Sequence, residues 1–88
     1  MATRIDVPTD SWIAVSASNF IVQNRSQDWE IFLCPSPVMP LVSDKGETSF
    51  VVLPYQMFES PGIPQQWWAR ANNVNKTGLT EPMIVENL

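Results

Sequence analysis

The chain has 88 residues, a formal net charge of −4, no histidine and one cysteine, Cys34. A single thiol excludes an intrachain disulfide, and without histidine it cannot build a closed zinc site. The five basic residues, Arg4, Arg25, Lys45, Arg70 and Lys76, are scattered, so the footprint of a nucleic-acid binder or a membrane-surface helix is missing.

Residues 1–10 hold charge, a proline and, after the initiator, only two aliphatic side chains, Ile5 and Val7. They read as an extended N-terminal arm, with residues 11–88 as a single β domain. Fully stretched, such an arm reaches about 33–36 Å. Ile5 and Val7, two apart, share one face with Thr3, while Arg4 and Asp6 take the other. That pattern suits a strand added to a neighbour's sheet edge, so Thr3, Arg4, Ile5, Asp6 and Val7 are candidate partner-binding residues. A frayed terminus is the alternative.

Ser11 to Ala17 predicts a first strand, with Trp12 and Ala14 opposite Ile13 and Val15. Phe20 to Asn24 predicts a second and Trp29 to Cys34 a third. Arg25-Ser26-Gln27-Asp28 between them has turn chemistry, and the spacing predicts an antiparallel hairpin. Pro35, Pro37 and Pro40 then remove backbone donors, so that stretch is a loop or an edge. Leu41-Val42 has room for a brief pairing before a turn around Gly46. Thr48 to Leu53 predicts another strand, stopped by Pro54.

Tyr55 to Ser60 reads as a short strand or as a loop carrying Tyr55, Met57 and Phe58, which are candidate contact residues. After Pro61–Pro64, Gln65 to Asn72 predicts a strand with aromatic mass on both faces: Trp67, Ala69 and Ala71 on one, Trp68, Arg70 and Asn72 on the other. One face is core. The other is a second core or a contact surface, and Trp67 joins the candidate contact residues. Arg70 and Trp68 suit a cation–π contact within the protein. Gly78 is the natural positive-φ position of the polar connection that follows, and Pro82 to Glu86 predicts a closing strand.

The fold expectation is all-β: a small barrel or sandwich of about six or seven short antiparallel strands, with the arm. A domain this small buries about 60–65% of its unfolded surface, and without disulfide or metal the remaining support is oligomerisation. Four Trp and four Phe fit that reading. No apolar run spans a membrane, and the N-terminus lacks a signal peptide's apolar core.

Catalytic constellations are poorly supported, so the expectation is no enzyme, no cofactor and no metal. Without histidine the commonest base is absent. Cys34, at the end of an apolar strand, reads as an inert small hydrophobe. Asp28 with Glu30, and Asp44 with Glu47, sit beside turns as solvated carboxylates. Gly46, Gly62 and Gly78 lie too far apart for a phosphate loop.

Trp12, Ile21-Val22-Gln23-Asn24-Arg25-Ser26, Gly46, Val52-Leu53-Pro54, Trp68-Ala69-Arg70 and Ile84-Val85-Glu86 occur in this order. The order resembles that of short β-rich structural proteins of tailed bacteriophages, over most of the chain after residue 10. Pro35–Pro40 and Tyr55–Phe58 depart from that pattern. The resemblance implies a virion structural protein made in the host cytoplasm. It implies a capsid decoration (cement) protein on the outer head lattice, trimeric and bound to the major capsid protein. A tail or head–tail accessory or adaptor subunit, bound to another virion protein, is the runner-up. Exposed aromatics keep a monomeric carbohydrate-binding module as a third class.

Overall fold

A computed structural model of the chain describes residues 2–43, 49–62, 65–72 and 79–88. Its strands are β1 (Ala2–Pro8), β2 (Ile13–Ser16), β3 (Phe20–Asn24), β4 (Ile31–Pro35), β5 (Phe50–Val52), β6 (Met57–Glu59), β7 (Trp67–Ala71) and β8 (Thr80–Asn87). They form two four-stranded antiparallel sheets, ordered β1-β8-β3-β6 and β2-β7-β4-β5. The sheets do not close on each other, so the architecture is a sandwich and not a barrel.

Alternation builds the core. Ile5 and Val7 on β1, Phe20 and Val22 on β3, Phe58 on β6 and Met83 and Val85 on β8 turn inward from the first sheet. Ile13 and Val15 on β2, Ile31 and Leu33 on β4, Val52 on β5 and Trp67, Ala69 and Ala71 on β7 meet them from the second. The two-faced pattern expected at Trp67–Ala71 is therefore present, with the small Ala69 and Ala71 leaving space for bulk opposite.

Three expectations are corrected. Among the described residues the strand count is eight rather than six or seven, because residues 2–8 and 57–59 both pair. In place of a free-standing arm, β1 runs beside β8 from Ala2↔Glu86 to Pro8↔Thr80, and Val7 is fully buried. The Phe20–Asn24 and Ile31–Pro35 strands do not form a hairpin: β3 pairs with β6 and β8, β4 with β5 and β7. Leu41-Val42 belongs to no strand. The turns expected at Gly46 and Gly78, and Asp44 with Glu47, lie outside the described residues.

The hairpin fails because residues 24–30 cross from one sheet to the other, and Asn24 organises the crossing. Its side chain is fully buried. Nδ2 donates to the carbonyls of Trp29 (2.8 Å) and Val52 (3.0 Å), and Oδ1 accepts from the Ser26 amide (2.8 Å). Its backbone amide donates to Gln56 O, and its carbonyl accepts from Tyr55 N. Ser26 continues the corner: Oγ donates to Glu81 (2.7 Å) and accepts from the amides of Asp28 and Trp29. Asn24 and Ser26 thus tie β3 to β5 and β8 and to the segments that lead into β4 and β6.

Pro82 sits in a central strand, where proline is ordinarily excluded. Its carbonyl accepts from the Arg25 amide (3.0 Å). The donor it lacks points the same way, toward Arg25, one step past the last β3 pair, Asn24↔Met83. Only the bond at the very end of the ladder is lost.

Asn24→Ala leaves two carbonyls and one amide without these partners, each worth about 1–3 kcal/mol when buried. Urea unfolding followed by circular dichroism is expected to show a loss of about 3 kcal/mol, with the slope unchanged.

Candidate functional site

The candidate residues separate into three settings. Trp67 is 1% exposed and lies inside an aromatic cluster, with Phe20 (5.6 Å, edge-on), Phe50 (5.6 Å) and Phe58 (5.7 Å) around it. The expected contact residue is a core residue, because Ala69, Ala71 and the facing sheet leave an indole-sized space inside. Such ring pairs are worth about 0.5–1.5 kcal/mol each beyond area burial.

Phe50 and Phe58, 5.5 Å apart, bring the β5 and β6 edges together at one margin of the sandwich. Here the aromatic core reaches the surface. Phe58 is half-buried, but Phe50, Val51, Leu53 and Tyr55 each expose between 43% and 51%, and Met57 exposes 62%. The hinge between the two strands is a tight turn in which Gln56 N donates to Leu53 O and Leu53 N to Gln56 Oε1. Tyr55 occupies this turn with φ +62°, held by its amide on Asn24 O (2.8 Å) and by Gln23 Nε2 on its carbonyl (3.1 Å). The Arg25 guanidinium lies over its ring at 5.8 Å, a cation–π arrangement. Tyr55 on the turn and Met57 on β6 are both exposed, as are Phe50 and Val51 on β5 and Leu53 just after it.

The N-terminal candidates form one edge strand. Thr3, Arg4 and Asp6 are exposed, Ile5 is half-buried and Val7 is buried. The predicted alternation is present, but Ile5 and Val7 use it to pack on the chain's own core. Arg4 and Asp6 pair on the outer face at 3.1 Å. With both side chains more than half exposed, that pair adds little stability by itself.

The outer face of the second sheet resolves the question raised by its second Trp. The loop after β4 crosses it as a strap. Trp68 Nε1 donates to Ser36 O (3.0 Å), Trp12 Nε1 to Leu41 O (3.2 Å) and Arg70 Nη1 to Val42 O (2.6 Å). Arg70 also donates through Nε to Thr9 O (3.1 Å) and is 6% exposed. Prolines offer carbonyls but no amides, so this stretch is rich in acceptors for the two indoles and the guanidinium. The face is a second small core under a strap, and the strap turns Val38, Met39, Leu41 and Val42 outward.

Among the described residues no group of three His, Cys, Asp or Glu side chains stands ready for a metal ion, and no pocket is found. Cys34 is half-buried opposite Trp68 on the outer face of β4 and takes part in no disulfide. Comparisons of the chain with protein-family models, with curated proteins and with solved structures find no match.

Sequence reasoning missed the strap and the β5 contribution to the margin. A signal existed for the strap: indoles and a guanidinium on one face need acceptors, and a proline-rich segment supplies them.

Arg70→Met keeps the bulk but removes donors to two carbonyls. Chymotrypsin is expected to cut after Leu41 about tenfold faster in this variant, through local opening, while the core circular dichroism signal stays.

Proposed function

We propose that the chain is a non-catalytic, protein-binding structural subunit of a tailed-bacteriophage virion, most simply a capsid decoration protein that self-associates and stabilises the outer lattice. The observation that supports this reading is the β5–β6 margin. It carries five exposed apolar side chains, Phe50, Val51, Leu53, Tyr55 and Met57, along β5, β6 and the hydrogen-bonded turn between them. Exposed apolar side chains concentrated along one margin mark candidate protein contact sites. Tyr and Met are also enriched at interface centres, and the turn is held by Asn24 before any partner arrives. Binding then loses little entropy in ordering the contact residues.

The resemblance in motif order from Trp12 to Glu86 supplies the virion setting and the major capsid protein as partner. An adaptor subunit at the head–tail junction or in the tail would use the same margin on another virion protein. The two readings differ in copy number. A decoration protein approaches the copy number of the major capsid protein in purified particles; an adaptor is present in a few copies per particle.

Met57 and Leu53 are exposed, so charging them spares the core. Leu53→Asp/Met57→Asp is expected to stay folded and to lower occupancy on capsids stripped of the protein by at least about tenfold, the loss typical of removing interface anchors. Full occupancy by the folded double variant would overturn the role of the margin. Absence of the wild-type protein from purified particles would overturn the virion reading.

A further inference from the structure

A sandwich has four sheet edges, and three of these are blunted. β5 and β6 each span three residues. β2 spans four and its register shifts between Ala14 and Ser16, so its backbone groups fall out of line. Short and bulged edges resist pairing with other chains. β1 is different. It is seven residues long, pairs continuously with β8 on one side and is the terminal strand of its sheet on the other.

The phase of the ladder identifies which groups face outward. Thr9 N donates to Leu79 O across from it, and in an antiparallel pair the bonded residues alternate. Val7, Ile5 and Thr3 therefore bond to β8. The amides and carbonyls of Ala2, Arg4 and Asp6, with the carbonyl of Pro8, point to the free edge. Those of Asp6 and Arg4 lie at its centre.

We infer that the free edge of β1 pairs antiparallel with β1 of a second copy about a two-fold axis through Ile5, placing Arg4 of each copy opposite Asp6 of the other. This rests on the self-association in the proposed function and replaces the three-fold order implied by the resemblance. In this register Arg4 and Asp6, both edge-facing, exchange amide-to-carbonyl bonds twice, once on each side of the axis. Ala2 N reaches the partner's Pro8 O at each end. The donor Pro8 lacks costs only the terminal bonds.

Side chains agree with the same register. On the outer face the charges of Arg4, Asp6 and their two counterparts alternate in sign, and opposite charges directly across a strand pair are favourable. On the inner face Ile5, half-buried in one copy, meets Ile5 of the second. Thr3 meets Val7. A shift by two residues in either direction would set Arg4 against Arg4 or Asp6 against Asp6. The charge pattern is therefore self-complementary in one register only, as an isologous interface requires.

The test measures mass by light scattering or sedimentation on the full chain, up to about 100 µM, in low and high salt. The wild type is expected to be a dimer weakened by salt. Asp6→Arg sets like charges opposite and is expected to raise the dissociation constant by about tenfold or more, while Arg4→Asp/Asp6→Arg restores pairing. Arg4→Pro removes an amide that faces away from β8. It is expected to abolish the dimer with the fold retained by circular dichroism. A monomer throughout, a trimer, or a double variant no better than Asp6→Arg would overturn the inference. Capsid occupancy, measured separately, reports on the virion reading: a trimer that decorates particles sinks the two-fold pairing alone.

Discussion

The fold depends on satisfying a buried corner. Where the chain leaves β3 for the other sheet, the carbonyl of Trp29 and the amide of Ser26 lie off the ladders, and the carbonyl of Val52 closes β5 beside them. Asn24 supplies them all, two donors and one acceptor from one side chain. Asp in its place would offer acceptors to two acceptors, and an aliphatic residue would offer nothing. The same residue's backbone fixes Tyr55 and Gln56, so the corner also orients the turn that carries the exposed margin. Packing decides that the interior is apolar. Asn24 decides how the two sheets are joined.

The second constraint is size. One small sandwich cannot hide four indoles inside, and the molecule divides them. Trp67 fills the main core, Trp12 and Trp68 lie under the strap, and Trp29 stays partly exposed beside the corner. The strap converts the outer face of β7 into buried surface without adding a strand. Burying Arg70 there is tolerable because its nitrogens meet carbonyls, and hydrogen bonds to a charged group are among the stronger ones. This is how a chain with no disulfide gains area beyond its two inner faces.

Alternating patterns were legible in the sequence. The faces of Trp67–Ala71, the limits of Phe20–Asn24 and the alternation of Thr3 to Val7 follow from a period of two and survive in the structure. Pairing was less legible. Residues 20–24 and 29–34 have hairpin spacing, but spacing says nothing about whether the intervening turn returns to the same sheet. What distinguishes a corner from a hairpin here is Asn24 facing inward, and that depends on carbonyls far along the chain. β6 stayed open between strand and loop because three residues carry too little pattern, and β8 was shortened because Pro82 reads as a strand limit. Its missing donor falls at the last rung of the ladder, opposite Arg25, a fact of register rather than composition. The exposed margin was half legible: Tyr55 and Met57 stood out as apolar beside prolines, while Phe50 and Val51 looked like ordinary strand core.

The placement of the two surfaces follows from sheet order. β6 and β5 share one margin, as the Phe50–Phe58 contact requires. β1 lies at the far side of its sheet, where Thr9 meets Arg70 of β7. Pairing through β1 therefore leaves both β5–β6 margins free, one at each end of a continuous sheet running from β6 of one copy to β6 of the other. Two identical contact surfaces facing outward make the second contact intramolecular once the first has formed, and a repeating lattice can engage both only when its spacing matches. Such a geometry gains affinity for an ordered array over a single isolated copy without any further side-chain contact. In the proposed dimer the charge pair on β1 and the apolar margin have separate tasks, one holding two copies together and the other holding the pair to its neighbour.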